Sequence, residues 1–273
     1  MPEMILQNIF IYPIKSLGAV ELAEGELDER GLKNDRRFML VDEHSRFITQ
    51  REFPQLSLIK TSLKNSQIEL INQSHEKLLV PLEVEGGEMR KAIIWADECE
   101  VLHVSKEADQ FFSEAIASKC SLVYMPHASN RRVNPSYVPE YSITGFTDGY
   151  PILLIGTASL DDLNLRLETS IAMNRFRPAL VVKTSEAFDE DYWADFSIDD
   201  LKFRGVKLCS RCVIATIDQH TGEAGKEPLK TLATFRKRNN NVYFGQNVVH
   251  ESASGKLRVG DKVAVTRRAE PVV

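Results

Sequence analysis

Short apolar runs separated by turn residues fill the first 105 residues of the chain. Such spacing is typical of many short strands and few helices. The polar turn at 42–45 and the glycine pair at 86–87 each lie between two apolar runs, which is the pattern of a β-hairpin. Two hairpins are therefore predicted, one joining Phe38–Val41 to residues 46–49 and one joining residues 82–85 to residues 92–95.

Two segments depart from the strand pattern and show helical periodicity. Apolar residues recur at helical spacing over 108–116, which predicts a helix that buries Phe111 and Phe112 in the core. A capping signal at Ser159 predicts a second helix, which must end before Pro178 because the residue preceding a proline is pushed out of helical geometry. The apolar stripe of this second helix is Leu160, Leu163, Leu167 and Ile171.

Strand patterns also dominate the second half, so we expect a mainly β fold, β-barrel-like, with a few helices. We divide the chain into two domains, 1–122 and 123–268, with a proline-bearing loop at 126–142 just after the boundary. The predicted strands of the second half cover residues 151–155, 179–182, 196–198, 202–203, the run after Cys212, 242–245 and the paired ends of 257–265.

Composition excludes several classes of protein. The net charge of −5 over 273 residues argues against a general nucleic-acid binder. Four irregularly spaced cysteines do not form a disulfide framework, which favours a reducing compartment. The sequence shows no signal-peptide pattern and no apolar run near the roughly 20 residues that a membrane helix needs. We therefore expect a cytoplasmic protein without a membrane partner.

The motif Cys209-Ser210-Arg211-Cys212 carries the most chemical information in the chain. Thiolates are preferred ligands of soft metals, and the arginine between the cysteines adds a positive charge that favours thiolates. The spacing alone leaves three alternatives open. They are half of a zinc site, a thioredoxin-like redox pair, and two cysteines that merely pack at the start of a strand.

Segments from both halves of the chain, taken together with this motif, resemble the MOSC family with its N-terminal β-barrel domain. Amidoxime-reducing components are among the members of this family. The segments are residues 11–17, 34–42, 49–54, 146–149 and 174–178, together with the block from Cys209 through residues 221–229 to residues 245–247. The resemblance covers nearly the whole length, and the block that begins at Cys209 is its most specific part.

The resemblance implies that the protein binds molybdenum cofactor, a molybdopterin. Cys212 matches the family's molybdenum-ligating cysteine, so it is the expected metal ligand and catalytic residue. Asp218 matches an acidic position that could order the site, although capping a turn would explain it equally well. The residues that the resemblance places around the cofactor are Lys15, Ser16, Arg36, Arg51, Asn174, Arg177 and Cys212.

By the same resemblance, the expected reaction is the two-electron reduction of a small N-hydroxylated compound, such as an amidoxime, a hydroxylamine or an N-hydroxylated nucleobase. The chain shows no cysteines for an iron–sulfur cluster after its last predicted strand, so we expect a separate ferredoxin or flavoprotein as the electron donor. The alternative function is a carrier that holds molybdenum cofactor or sulfur without reducing a substrate.

Overall fold

The computed structural model describes residues 3–138, 140, 142–252 and 254–273. Within these ranges the chain forms short strands with three α-helices, so the expected mainly β fold is confirmed. The helices are α1 (Lys106–Ile116), α2 (Thr157–Arg166) and α3 (Leu229–Ala233). The strands are β1 (Ile5–Ile11), β2 (Val20–Leu22), β3 (Glu24–Asp28), β4 (Gly31–Leu32), β5 (Phe38–Val41), β6 (Lys60–Lys64), β7 (Gln67–Ile71), β8 (Lys77–Pro81), β9 (Met89–Ile94), β10 (Asp97–His103), β11 (Ser121–Tyr124), β12 (Arg131–Arg132), β13 (Ile143–Thr144), β14 (Ile152–Gly156), β15 (Leu180–Lys183), β16 (Trp193–Ile198), β17 (Leu201–Ser210), β18 (Lys237–Arg238), β19 (Asn241–His250), β20 (Gly255–Arg258) and β21 (Val263–Arg268).

The largest sheet joins the two ends of the chain. Its strand order is β2-β1-β15-β14-β19-β17-β16-β21, and β18 pairs with β19 beside this path. Strands β14 and β15 are parallel and are connected through α2, while β1 runs antiparallel to β15. The pairing of β1 therefore crosses the expected boundary at residue 122, and the division into 1–122 and 123–268 stays a prediction.

Smaller sheets complete the fold. The strand orders are β5-β11-β10-β9, β6-β7-β8, β20-β3-β4 and β12-β13. Helix α1 packs into one core through the buried Phe111 and Phe112, as the apolar spacing predicted. A second core lies against the largest sheet and contains the fully buried Trp193 and Phe196. Among the described residues, no helix has the length and apolar character needed to span a bilayer.

The first predicted hairpin is confirmed and the second is wrong. After β5, the amide of Asp42 donates to the carbonyl of Arg46 at 2.9 Å, and the amide of Ile48 donates to that of Leu40 at 2.9 Å. Residues 82–87 instead connect two different sheets, because β8 pairs with β7 and β9 pairs with β10. The turn of the real hairpin is Trp95-Ala96, a pair that lacks the usual Gly or Asn turn residues.

The helical expectations hold with one correction at each end of α2. Ser159 is not the N-cap, because Gly156 occupies that position. The Ser159 hydroxyl is instead buried and donates to the carboxylate of Glu190 at 2.7 Å. The helix ends at Arg166, so only the first half of the predicted stripe is helical, although Leu167 and Ile171 still pack in the same core.

Two strand predictions near the candidate chemistry are wrong. The run after Cys212 is a 3₁₀ turn over Val213–Thr216, in which the Thr216 hydroxyl donates to the carbonyl of Val213 at 2.7 Å. The predicted pairing within 257–265 does not form, since β20 pairs with β3 and β21 pairs with β16. Of the predicted loop at 126–142, Pro139 and Tyr141 lie outside the described residues, and Arg131–Arg132 forms β12.

Candidate functional site

One cleft gathers six of the seven residues that the sequence placed around a cofactor. It encloses about 800 Å³, including the solvent at its mouth. Five cationic side chains line the cleft with a single carboxylate, that of Asp148, so the cleft suits an anionic ligand. The six residues are Lys15, Ser16, Arg36, Arg51, Arg177 and Cys212, and Asp148, Cys209, Arg211 and Asn247 are among the further residues that line the cleft.

Cys212 lies where β17 ends and the 3₁₀ turn begins. Its extended backbone, with φ −109° and ψ 178°, is the N-cap of the turn, and its carbonyl accepts from the amide of Ala215 at 3.1 Å. The thiol is partly exposed and accepts from Nη2 of Arg51 at 3.4 Å. The side chain thus presents sulfur to the cleft beside a fixed positive charge.

Cys209 lines the same cleft but has a different neighbour. Its sulfur accepts from Nη1 of Arg211 at 3.0 Å. Among the described residues, no three His, Cys, Asp or Glu side chains are grouped to hold a metal ion. The zinc alternative therefore lacks a ligand set in this part of the chain, and a metal here would need ligands that a cofactor brings with it.

Lys15 is the most buried of the cations that line the cleft. It is buried, and its Nζ donates to the carbonyl of Phe146 at 2.9 Å and to the carboxylate of Asp148 at 2.5 Å. Burial lowers the pKa of Lys15 to about 8, with the nearby carboxylate opposing the shift. Lys15 therefore stays mostly protonated at neutral pH.

Asp148 connects Lys15 to Arg51. Its second carboxylate oxygen lies 3.4 Å from Nη2 of Arg51, the same atom that contacts Cys212. Although burial opposes ionisation, Lys15 and Arg51 hold the pKa of Asp148 well below its usual range. The network therefore links a buried ammonium, a carboxylate, a guanidinium and the thiol in sequence.

Tyr12 holds the two remaining cations. The guanidinium carbons of Arg36 and Arg177 lie 4.4 Å and 4.3 Å from its ring centroid, distances at which cation–π attraction acts. The Tyr12 hydroxyl donates to the carbonyl of Pro178 at 3.1 Å, and Arg36 also pairs with the buried carboxylate of Asp35. A single buried ring thus fixes both guanidinium groups at the cleft.

Arg177 is the most exceptional of these cations. Burial lowers its pKa to about 10. Its Nη2 is buried and has no hydrogen-bond partner among the described residues. A buried donor without a partner costs about 1 to 3 kcal/mol, so this atom is suited to a ligand oxygen.

Left-handed backbone conformations cluster at the cleft. Ser16, Arg36 and Arg177 have φ values of 69°, 49° and 55°. Such values are uncommon for residues other than glycine and concentrate at functional sites. A Cβ on Gly145 would lie 2.8 Å from the carbonyl oxygen of Arg36, so glycine is required where the chain packs against that strained residue.

Asn174, the seventh predicted residue, does not line this cleft. It belongs to a 3₁₀ turn over Met173–Phe176 and borders a neighbouring cavity. Arg177 is the C-cap of the same turn and has a left-handed backbone. Its side chain therefore points in a different direction from that of Asn174. The sequence motif joined two residues that the backbone directs into different cavities.

Arg175 and Tyr12 are site residues that the sequence reasoning missed, although both lie inside the motif segments. Arg175 binds the turn that follows Cys212. Its Nε donates to the carbonyl of Ala215 at 3.1 Å, its Nη2 to that of Thr216 at 3.1 Å, and its Nη1 to the carboxylate of Asp218 at 2.9 Å. Asp218 also caps its own turn by accepting from the amide of His220 at 2.8 Å.

Comparisons with known proteins agree with the site. Residues 3–119 match the MOSC N-terminal beta barrel domain and residues 142–264 match the MOSC domain. Mitochondrial amidoxime reducing component 2 of Rattus norvegicus is 32% identical over 279 residues, covering 94% of this chain and 82% of the rat protein. The chain belongs to the MOSC family. Mitochondrial amidoxime-reducing component 1 of Homo sapiens is 30% identical to this MOSC protein, over 94% of the chain and 81% of the human protein. Mitochondrial amidoxime-reducing component 1 of Xenopus laevis is 29% identical, over 97% of the chain and 83% of the frog protein.

The MOSC domain is associated with molybdenum cofactor binding, and the cleft can be tested for its fit to that group. A molybdopterin presents an anionic phosphate, and the cleft offers buried cations with an unpartnered Nη2 on Arg177. Molybdenum accepts thiolate, and Cys212 supplies a partly exposed sulfur at the same cleft. The donor set therefore fits the cofactor. These relatives are named as mitochondrial proteins, and the cytoplasmic location expected here stays a prediction.

Proposed function

We propose that this MOSC protein binds molybdenum cofactor through Cys212 and reduces small N-hydroxylated compounds with electrons from a separate donor protein. One observation carries the proposal. A partly exposed thiol, the buried Lys15 and the half-buried Arg36 and Arg177, supplied by segments far apart in the sequence, converge on one cleft. Relatives named for amidoxime reduction, which align over most of the chain, support the type of reaction.

In this proposal the cations hold the phosphate of the cofactor and Cys212 holds its metal. Arg177 has a free buried donor, and Arg36 is fixed beside it by Tyr12 and Asp35. Fixed guanidinium groups bind phosphate oxygens in two-pronged, charge-assisted hydrogen bonds. Asn174 borders the other cavity, so its role in holding the cofactor has the weakest support of the seven.

The overall reaction consumes two electrons and two protons, breaks the N–O bond of the substrate, and yields an N–H compound and water. The bound cofactor supplies a redox-active metal that exchanges electrons and oxygen. The residues of the chain do the remaining work. Arg51 keeps a positive charge at the Cys212 sulfur, and Asp148 holds Arg51 and Lys15 in place. Lys15, which is buried, keeps a proton on Nζ at neutral pH.

The test compares Cys212→Ala with Cys209→Ala in protein made in molybdenum-replete cells. We expect Cys212→Ala to abolish molybdenum retention, measured as metal per protein chain, while its circular dichroism spectrum stays that of the wild type. Cys209→Ala should retain most of the metal, because its sulfur contacts Arg211 and not Arg51. Equal loss of metal from both variants would contradict the single-ligand proposal.

Activity is tested separately with benzamidoxime and a chemically reduced viologen as electron donor. We expect benzamidine to form with the wild-type protein and not with Cys212→Ala. Molybdenum-loaded protein that forms no benzamidine and no reduced product from 6-N-hydroxylaminopurine would refute the reductase proposal. That outcome would leave the carrier function, since a carrier holds cofactor without turnover.

A further inference from the structure

Trp95 is exposed at the turn between β9 and β10, although tryptophan is usually well buried. It retains 47% of its accessible surface, whereas Trp193, the second tryptophan of the chain, is fully buried. The pairing of Ile94 with Asp97 leaves Trp95 and Ala96 as a two-residue loop. A large aromatic side chain therefore occupies the tip of a tight hairpin.

The backbone of Trp95 is also unfavourable for its side chain. Its φ is 56°, in the left-handed region. Two-residue hairpins ordinarily place Asn, Asp or Gly there, because the left-handed conformation is unfavourable for an L-residue with a bulky side chain. Departures from local sequence preference of this kind are expected at functional or strained positions.

Contacts place Trp95 at the rim of the cleft. The guanidinium carbon of Arg51 lies 4.9 Å from the Trp95 ring centroid, and Nη2 of Arg51 lies 3.4 Å from the Cys212 sulfur. Phe47 supports the ring from another side, with centroids 4.9 Å apart and planes tilted by 55°. Lys15 lies 5.6 Å from the Phe47 ring. One guanidinium therefore separates the exposed indole from the candidate metal ligand.

We propose that Trp95 forms the outer wall of the substrate entrance and stacks on the planar body of the substrate, an inference that rests on the proposed function. Aromatic side chains stack on planar bases of any kind, because every base has a π-face. The nearby Arg51 and Lys15 disfavour a cationic substrate. The preferred substrates are thus uncharged planar N-hydroxylated compounds, such as N-hydroxylated nucleobases, over small aliphatic hydroxylamines.

The direct test is quenching of tryptophan fluorescence by 6-N-hydroxylaminopurine, which needs no turnover. Because Trp193 is fully buried, ligand-dependent quenching reports Trp95. We expect saturable quenching in the wild type and none in Trp95→Asn. Asparagine tolerates the left-handed backbone, so this variant removes the ring while preserving the hairpin, and an unchanged unfolding temperature verifies that.

Steady-state kinetics provide the second measurement. Trp95→Asn should raise the KM for 6-N-hydroxylaminopurine about tenfold and change the KM for N-methylhydroxylamine less than twofold, with kcat unchanged for both substrates. Trp95→Phe should retain most of the affinity. Met89→Ala is the matched control, because Met89 is 55% exposed at the opposite end of β9 from Trp95.

Absence of quenching in the wild type would overturn the inference, as would an equal rise in KM for the planar and the aliphatic substrate. A raised KM for the electron-donor protein alone would also overturn it and would make Trp95 a protein-docking residue. Quenching without turnover of any substrate would refute the proposed reductase while supporting the stacking wall, so the two failures are distinguishable.

Discussion

Arg175→Ala should loosen the turn that carries Cys212. The side chain of Arg175 is only 11% exposed and joins two segments, the 3₁₀ turn Met173–Phe176 and the turn Val213–Thr216. Its guanidinium makes three contacts of 2.9 to 3.1 Å, to the carbonyls of Ala215 and Thr216 and to the carboxylate of Asp218. A longer bond of 3.5 Å reaches the carbonyl of Glu227. Removing this side chain leaves the turn after Cys212, the candidate metal ligand, without this cross-link to the Met173–Phe176 turn.

The magnitude follows from the three contacts. The carbonyl of Ala215 loses a buried donor, which costs about 1 to 2 kcal/mol. The carbonyl of Thr216 still accepts from the amide of Gly225 at 3.1 Å, so losing its bond to Arg175 costs little free energy. Asp218 is 41% exposed, which limits the ion pair to about 1 kcal/mol. With the packing of the alkyl stem, the free energy of unfolding should fall by about 3 kcal/mol.

Urea unfolding and molybdenum content measure the two consequences. We expect Arg175→Ala to lose stability by that amount and to retain several-fold less metal after gel filtration. Arg175→Lys should be intermediate, because an ammonium cannot reproduce the planar fork. Arg267→Ala is the control, since Arg267 is 57% exposed and its pair with Asp195 is also exposed. Stability within 1 kcal/mol of the wild type with full metal retention would refute the reasoning.

Two further predictions concern the buried groups Glu190 and Tyr12. Burial, helped by the charge of Asp191, raises the pKa of Glu190 from 4.5 to about 7. Between these values the folded state keeps a proton that the unfolded state has lost, so stability is full below pH 4.5 and falls by about 3 kcal/mol as pH rises to 7. Urea titrations at pH 5 and pH 8 should show this fall in the wild type but not in Glu190→Gln, and the same fall in both proteins would contradict the assignment. Tyr12→Phe should keep the two guanidinium contacts, and its free energy of unfolding should fall by about 1 kcal/mol because the hydrogen bond to the carbonyl of Pro178 is lost. Tyr12→Leu should also lower molybdenum retention several-fold. Equal molybdenum retention by the two variants would exclude a role for the ring.

The sequence predicted the site better than it predicted the strands around it. Its motif segments carry Lys15, Arg36, Arg177 and Cys212, and the structure brings all four into one cleft. Their roles in binding a cofactor stay predictions. Arg175 was missed because its partners are backbone carbonyls about 40 residues away, and no local pattern encodes such partners.

The wrong strand assignments have physical causes. The run after Cys212 is rich in β-branched residues, which favour strands. The bond from the Thr216 hydroxyl to Val213, together with the Arg175 contacts, holds it in a 3₁₀ turn instead. The second hairpin was misplaced because Gly86-Gly87 resembles a turn, while the real turn at Trp95-Ala96 has no glycine or asparagine to reveal it.

The pairing of β1 with β15 has a consequence for biosynthesis. About 170 residues separate the two strands, so a ribosome working at about 5 to 20 residues per second needs roughly 10 to 30 seconds to supply the partner. The delay between the synthesis of β3 and that of its partner β20 is longer still. Until then the nascent chain displays an unpaired edge, and Lys15 and Arg36 cannot meet Arg177 and Cys212. Under the proposed function, cofactor loading is therefore a late event in synthesis, one that waits until Cys212 has been translated.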